Sequence, residues 1–227
     1  MYYDSEAHAQ GKGEPSLPFN PFKALVAPRP IGWITTLTAD GTVNLAPYSY
    51  FQAVADNPDI VMFSAAPELQ VTDGNLGFGT GRKDSQSNAA ATGEFVCNMV
   101  SYDLRDGMNA SSAHLPREVS EAEHAGLAMA PSLRVAPPRV AAAPAALECV
   151  VVDTHPVRHR GGDHIFNLVF GEVLSVYIDD AYVDAGRVNT AAMQLVTRMG
   201  YDEYAVLDHA FSMARPDFDP ILDGLVK

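Results

Sequence analysis

Arg29-Pro30-Ile31-Gly32-Trp33-Ile34-Thr35-Thr36-Leu37-Thr38-Ala39-Asp40-Gly41-Thr42-Val43-Asn44-Leu45-Ala46-Pro47-Tyr48-Ser49-Tyr50-Phe51 is the stretch whose pattern decides the architecture of this chain. Ile31 to Leu37 and Thr42 to Ala46 are rich in β-branched and aliphatic residues, and they flank Asp40-Gly41. Asp-Gly supplies the positive-φ positions that a tight hairpin needs, so the segment predicts two antiparallel strands. Its exit breaks the pattern of a buried strand. Ala46, Pro47 and Ser49 interrupt the large apolar residues. Proline gives up a ladder donor, and small residues let a ligand approach the backbone closely. Ala46, Pro47, Tyr48, Ser49 and Tyr50 can therefore present N–H, C=O and hydroxyl groups to a flat polar heterocycle, with Trp33 and the tyrosines placed to stack on it. Taken alone, the same residues serve equally as the aromatic core of a barrel.

Outward from this hairpin, strand patterns dominate. Ile60-Val61-Met62-Phe63-Ser64 is a short apolar strand suited to burial on both faces. Residues 68–81, rich in Gly, Asn and Thr, predict an inserted loop. Lys83 to Gly93 predicts a helix, capped at its start by Asp84 or Ser85 and closed by Gly93. Phe95 to Val100 predicts a strand, and Asp103 to Ala110 and Ser120 to Ala125 short helices. Val135 to Pro144, rich in Ala and Pro, predicts an extended connector. Two long strand patterns follow, Ala145 to His155 and His164 to Tyr177, separated by a turn at His159-Arg160-Gly161-Gly162-Asp163. Ala191 to Arg198 predicts a helix. Residues 1–21 form an arm, 22–216 one domain, and 217–227 a tail that wraps the surface or a partner. Strands outnumber helices, and most connections are too short for repeated parallel crossovers. The expected class is therefore mainly β, an antiparallel barrel with peripheral helices.

The 227 residues carry 15 Lys and Arg against 28 Asp and Glu, a formal charge of −13. Such a surface repels nucleic acid and anionic lipid, and neither is expected as a partner. Cys97 and Cys149 both sit in apolar strand patterns and are expected as buried free thiols. No Cys-x-x-Cys or Cys/His cluster with metal spacing occurs, so no metal site is expected. The first residues lack the basic start and apolar core of a signal peptide, and no apolar run reaches transmembrane length. The cytoplasm is the expected location.

No nucleophile elbow, P-loop or dinucleotide glycine fingerprint appears; Gly77, Gly79 and Gly81 alternate without a preceding apolar strand. Arg82-Lys83-Asp84-Ser85 is more informative. Backbone N–H groups at a helix start, with a lysine and a hydroxyl beside them, make an anion site. An ordinary capped helix with solvated basic residues has the same pattern. His164 follows Gly161-Gly162-Asp163 and opens an apolar strand. There it can donate a proton or hydrogen bond near a reaction centre, or it is a surface histidine beside a turn. His114, in Ser111-Ser112-Ala113-His114-Leu115-Pro116, is a second loop candidate.

The order of these segments carries more than any one of them. Arg29-Pro30-Ile31-Gly32-Trp33-Ile34-Thr35-Thr36 is followed by Asn44-Leu45-Ala46-Pro47-Tyr48-Ser49-Tyr50-Phe51 and Asn57-Pro58-Asp59. Next come Arg82-Lys83-Asp84-Ser85, Asn88, and Thr92-Gly93-Glu94-Phe95-Val96-Cys97-Asn98. Pro137-Pro138-Arg139-Val140, Ala146-Leu147-Glu148-Cys149 and Gly171-Glu172-Val173 close the series. The chain thereby resembles the flavin reductase-like family of FMN-binding split-barrel proteins, from about Phe22 to about Pro216.

The resemblance implies a six-stranded antiparallel Greek-key split barrel that forms a homodimer, with FMN (or FAD) bound near the dimer interface and NADH or NADPH as electron donor. By match, Trp33, Thr35 and Thr36 lie near the flavin, and Ala46 to Tyr50 run along its ring and ribityl chain. Ser64 sits near the ribityl chain or phosphate. Lys83, Ser85 and Asn88 help hold the phosphate. His164 matches a Gly-Asp-His element that borders the ring and helps nicotinamide binding or hydride transfer, with Phe166 nearby. The implied activity is flavin reduction, serving a separate monooxygenase or electron-carrier partner. A flavin-binding electron carrier or store, and a non-catalytic split-barrel binding protein, are the alternatives.

Overall fold

The Asp40-Gly41 hairpin is present. Strands β1 (Gly32–Leu37) and β2 (Val43–Tyr48) pair antiparallel, with Leu37 opposite Val43 and Gly32 opposite Tyr48. Gly41 takes φ +89°, the left-handed turn position that favours glycine. Thr38 closes the turn: its N–H donates to the Thr42 carbonyl at 3.0 Å, and its hydroxyl accepts the Thr42 N–H at 2.8 Å.

This computed structural model describes residues 2–9, 17–67, 69–72, 75–78, 81–158, 160 and 164–216. The predicted tail at 217–227, the turn residues Gly161, Gly162 and Asp163, and parts of the arm and of 68–81 lie outside them. The hairpin continues into β3 (Phe51–Asp56) and β4 (Asp59–Ala65), then α1 (Asp84–Thr92), β5 (Glu94–Asn98), α2 (Arg105–Ala110) and α3 (Glu121–His124). The long strands β6 (Ala145–Arg158) and β7 (His164–Ile178) follow, then β8 (Leu195–Arg198) and β9 (Tyr204–Leu207).

One antiparallel sheet runs in the order β2-β1-β5-β6-β7-β4-β3. It has seven strands where six are expected. The added one is β3, which pairs with β4 across Asn57-Pro58. After Phe51 every residue of β3 is exposed. An edge strand with no buried face shows no alternation for a sequence pattern to reveal.

The sheet curls on a core of Ile34, Tyr48, Phe63, Phe95, Cys97, Cys149 and Val169. Tyr48 of the edge strand β2 meets Phe63 of β4, near the opposite edge, with ring centroids 5.1 Å apart. This closure is a barrel's way of burying two sheet ends together. Gly171 is required where Phe95 crosses β7, since a Cβ there would lie 2.3 Å from Phe95 Cζ. Cys97 and Cys149 are buried and free.

Three expectations change. Within 68–81, Leu69–Thr72 and Asn75–Phe78 form an antiparallel two-stranded ribbon rather than a loop. Ala191 to Arg198 is not helical: Leu195–Arg198 is β8, paired with β9 and with Arg29–Pro30. Partners distant in sequence override the weak local helix pattern there. Helix α1 is capped by neither Asp84 nor Ser85. Lys83 holds the N-cap position in extended backbone with no side-chain cap, while Gly93 closes the helix at φ +77° as predicted.

Candidate functional site

The exit of β2 and the start of α1 face one another across a cavity of about 510 Å³. Asn44, Ala46, Pro47 and Tyr48 supply one wall, and Lys83, Asp84 and Ser85 a second. The connection Ser111 to Pro116, between α2 and α3, forms a third, and Glu121 of α3 completes the lining. The two halves inferred separately from sequence therefore meet. Small side chains at 46 and 47 leave the space. The absence of a side-chain cap leaves the N–H groups of Asp84 and Ser85 without one where those residues line the cavity.

A buried polar network runs inward from this lining. Asn44 Nδ2 donates to Ser85 Oγ at 2.8 Å and to Thr36 Oγ1 at 3.2 Å. Asn88 Nδ2 donates to the same Thr36 oxygen at 3.2 Å. Thr36, Asn44, Ser85 and Asn88 are all buried. Such groups are tolerated inside a protein because each one satisfies another. Tyr48 joins them through a hydrogen bond with Ser85. Burial pushes its hydroxyl up to about 12, the Asp84 and Glu121 carboxylates add to the rise, and the Ser85 bond opposes it.

The charged groups of the wall are perturbed by the same burial. Desolvation lowers the Lys83 ammonium below its usual value. Glu121 is 9% exposed, and its Oε2 accepts the Leu45 N–H at 3.0 Å. Desolvation raises its carboxyl, the hydrogen bonds from Leu45 and from its own N–H lower it, and Asp84 raises it further. Asp84 itself is bonded by Arg117 Nη1.

Of the residues singled out from sequence, Ala46, Pro47, Tyr48, Lys83 and Ser85 line the cavity, and so does His114. Thr36 and Asn88 stand in the network behind it. Trp33 is fully buried and offers no face to the cavity. Its Nε1–H donates to Ser111 Oγ at 2.9 Å, and Ser111 Oγ donates to the Met108 carbonyl at 2.8 Å, so Trp33 anchors the third wall from beneath. Thr35 accepts from Asn98 Nδ2 at 2.8 Å inside the sheet.

A second group collects away from this lining. The Tyr50 ring meets Phe166 edge-on with centroids 5.8 Å apart, and the Tyr50 carbonyl accepts the Ser64 N–H at 2.8 Å. Ser49 connects this group to the β2 wall. His164 opens β7 opposite Arg158, and its side chain lies outside the described part of the structure. Glu121 and Arg117 are what sequence reasoning missed. No local signal separates Glu121 from the neighbouring Glu118 and Glu123; only its burial does.

The model of the flavin reductase-like domain family matches residues 25–193 of this chain. An uncharacterized protein of Deinococcus radiodurans is 41% identical over 184 residues, covering 78% of this chain and 74% of that one. Among solved structures, nitrilotriacetate monooxygenase component B from Bacillus cereus is 28% identical with a TM-score of 0.76, over 88% of this chain and all of that one (100%). A protein of Shewanella frigidimarina named for a flavin reductase with split barrel domain superposes at TM-score 0.74 and 20% identity, over 96% of this chain and 100% of that one. The curled antiparallel sheet described above has the fold of that split barrel.

Proposed function

The chain belongs to the flavin reductase-like domain family, and from that premise we propose that it is an FMN-dependent oxidoreductase, a flavin reductase that takes hydride from NADH or NADPH. The observation that carries this reading is the meeting of the β2 exit with the uncapped, lysine-flanked start of α1 in one cavity.

The residues present fit the cofactor. A volume of 510 Å³ falls within the roughly 300–1,000 Å³ typical of ligand pockets. The donor set at the helix start is two backbone N–H groups, the Lys83 ammonium and the Ser85 hydroxyl, which suits a phosphate. Ala46 and Pro47 let a flat ring lie against backbone. When bound, the flavin supplies a ring that accepts hydride, so the protein needs neither a nucleophile nor paired carboxylates.

The chain's own residues then have defined tasks. Lys83 binds the phosphate. Tyr48, with its pKa near 12, keeps its proton throughout the working range and remains a hydrogen-bonding hydroxyl. Glu121 fixes the backbone of β2 at Leu45, next to the Ala46 wall. Trp33 holds the third wall in place through Ser111. Thr36 and Asn88 orient Ser85 and its neighbours. We assign the ring end of the site to Ser49, Tyr50, Ser64 and Phe166, with His164 as the residue that meets the nicotinamide.

The same proposal includes a homodimer, a monooxygenase or electron-carrier partner, and a cytoplasmic setting. Exposed Val152 and Val157 on β6 and Val54 on β3 supply apolar surface for the subunit contact. Anaerobic stopped-flow mixing of the FMN-loaded protein with NADH and with NADPH tests the reductase reading, and rapid bleaching of the flavin band with one of them is expected. Bleaching only by a reduced carrier protein would make it an electron carrier instead. A colourless protein that leaves FMN fluorescence unquenched would overturn the flavin reading altogether.

A further inference from the structure

Arg117 follows Pro116 of the cavity's third wall and reaches across to α1. Its Nη1 donates to Asp84 Oδ1, and its Nη2 donates to Asn88 Oδ1 at 2.6 Å. Asn88 is 1% exposed and its Nδ2 is committed to Thr36, which leaves its oxygen directed to Arg117. The guanidinium is therefore held in place from a rigid element, and it lies directly against the carboxylate that opens the helix.

That carboxylate poses an electrostatic difficulty. An acidic residue in the first turn stabilises the helix dipole, but it competes with any other anion at the same N–H groups. The lining sets one lysine, Lys83, against two carboxylates, Asp84 and Glu121, in a chain whose formal charge is −13. Without a further cation, such a wall disfavours a phosphate dianion.

We propose that Arg117 determines the specificity of this site for a phosphorylated flavin over riboflavin: by neutralising Asp84 it frees Lys83 and the helix N–H groups to act on the phosphate. The inference rests on the flavin reading above and adds the source of its selectivity, a side chain outside the cavity lining. Arg117 is a positioning residue in this role. Its effect passes through Asp84 and scales with charge, not with contact area.

Titration of FMN and riboflavin fluorescence against the full-length protein tests this, with wild type, Arg117→Gln, Arg117→Lys, and the double variant Arg117→Gln/Asp84→Asn. Arg117→Gln is expected to weaken FMN by about three- to fivefold at low salt, the scale of a partly exposed ion pair. Riboflavin affinity should stay within about twofold, and the FMN loss should shrink at about 0.5 M salt as the charges are screened. Arg117→Lys, which keeps the charge, should bind FMN nearly as wild type does, and the double variant should recover most of the affinity. Equal losses for both flavins, unchanged FMN affinity in Arg117→Gln, or no recovery in the double variant would overturn the proposal. Wild-type protein that binds riboflavin as tightly as FMN would also overturn it, while leaving flavin binding intact. Failure of wild type to bind either would overturn the flavin reading itself.

Discussion

The two ends of the proposed flavin site are built differently. At the α1 end, Thr36, Asn44, Tyr48, Ser85 and Asn88 are buried and bonded to one another, and Trp33 and Glu121 tie the surrounding backbone down. At the Tyr50 end, the described residues show an edge-on ring contact between Tyr50 and Phe166 and a backbone hydrogen bond from the Ser64 N–H to the Tyr50 carbonyl, with no comparable side-chain network among them. The difference teaches where the fold invests its rigidity. A phosphate needs fixed donors in a fixed geometry, and a buried, mutually satisfied network supplies that. A ring that must receive a second planar molecule needs an accessible face, which a locked network would deny.

The largest effect should come from breaking the anchor of the locked end. Trp33→Ala removes a fully buried indole and the donor that holds Ser111. Loss of an aromatic side chain from a packed core costs about 3–5 kcal/mol. Urea or thermal unfolding should show a loss of that size. Near-wild-type stability would mean that the third wall is not held from beneath.

An intermediate effect should separate the two ends from each other. Lys83→Ala should weaken FMN by about 1–3 kcal/mol, the range for losing a charged hydrogen bond. Phe166→Ala, at the other end, should leave FMN affinity within about twofold, because the phosphate donors are untouched. Its cost should appear in the rate of reaction with the nicotinamide. If both variants weaken FMN equally, the contrast between a locked and an open end fails. Fluorescence titration of both variants decides it.

This contrast also marks how far the sequence was legible. The hairpin of β1 and β2 was readable because Asp40-Gly41 lies between two strongly apolar runs. Asp73-Gly74 lies between Leu69–Thr72 and Asn75–Phe78 in the same way, yet the shorter and more polar flanks disguised a ribbon as a loop. Lys83 and Ser85 were recognisable because helix starts advertise themselves locally. Glu121 and Arg117 were not, since their importance comes from being folded against β2 and α1 over 76 and 33 positions of sequence. Trp33 shows the opposite case. Its residue type suited ligand stacking and a barrel core equally, and the packing decides for the core, with the ring wholly interior.

The smallest effect concerns the carboxylate that stiffens β2. Burial, with Asp84 adding, raises the Glu121 carboxyl above its ordinary value in the folded chain. A raised value means that the native state holds this proton more tightly than the unfolded chain does. Glu121 therefore contributes stability that is fully present below the ordinary glutamate range and is lost as pH rises through the raised folded value. Glu121→Gln keeps an oxygen to accept the Leu45 N–H but cannot ionise. The variant should lose this part of the pH dependence while keeping the β2 wall in place. Unfolding midpoints followed upward from about pH 4, near the ordinary carboxylate range, should fall less steeply for the variant than for wild type. A parallel fall in both would mean that Glu121 is solvated enough to titrate normally, and the locked end would then lose one of its ties without losing its network.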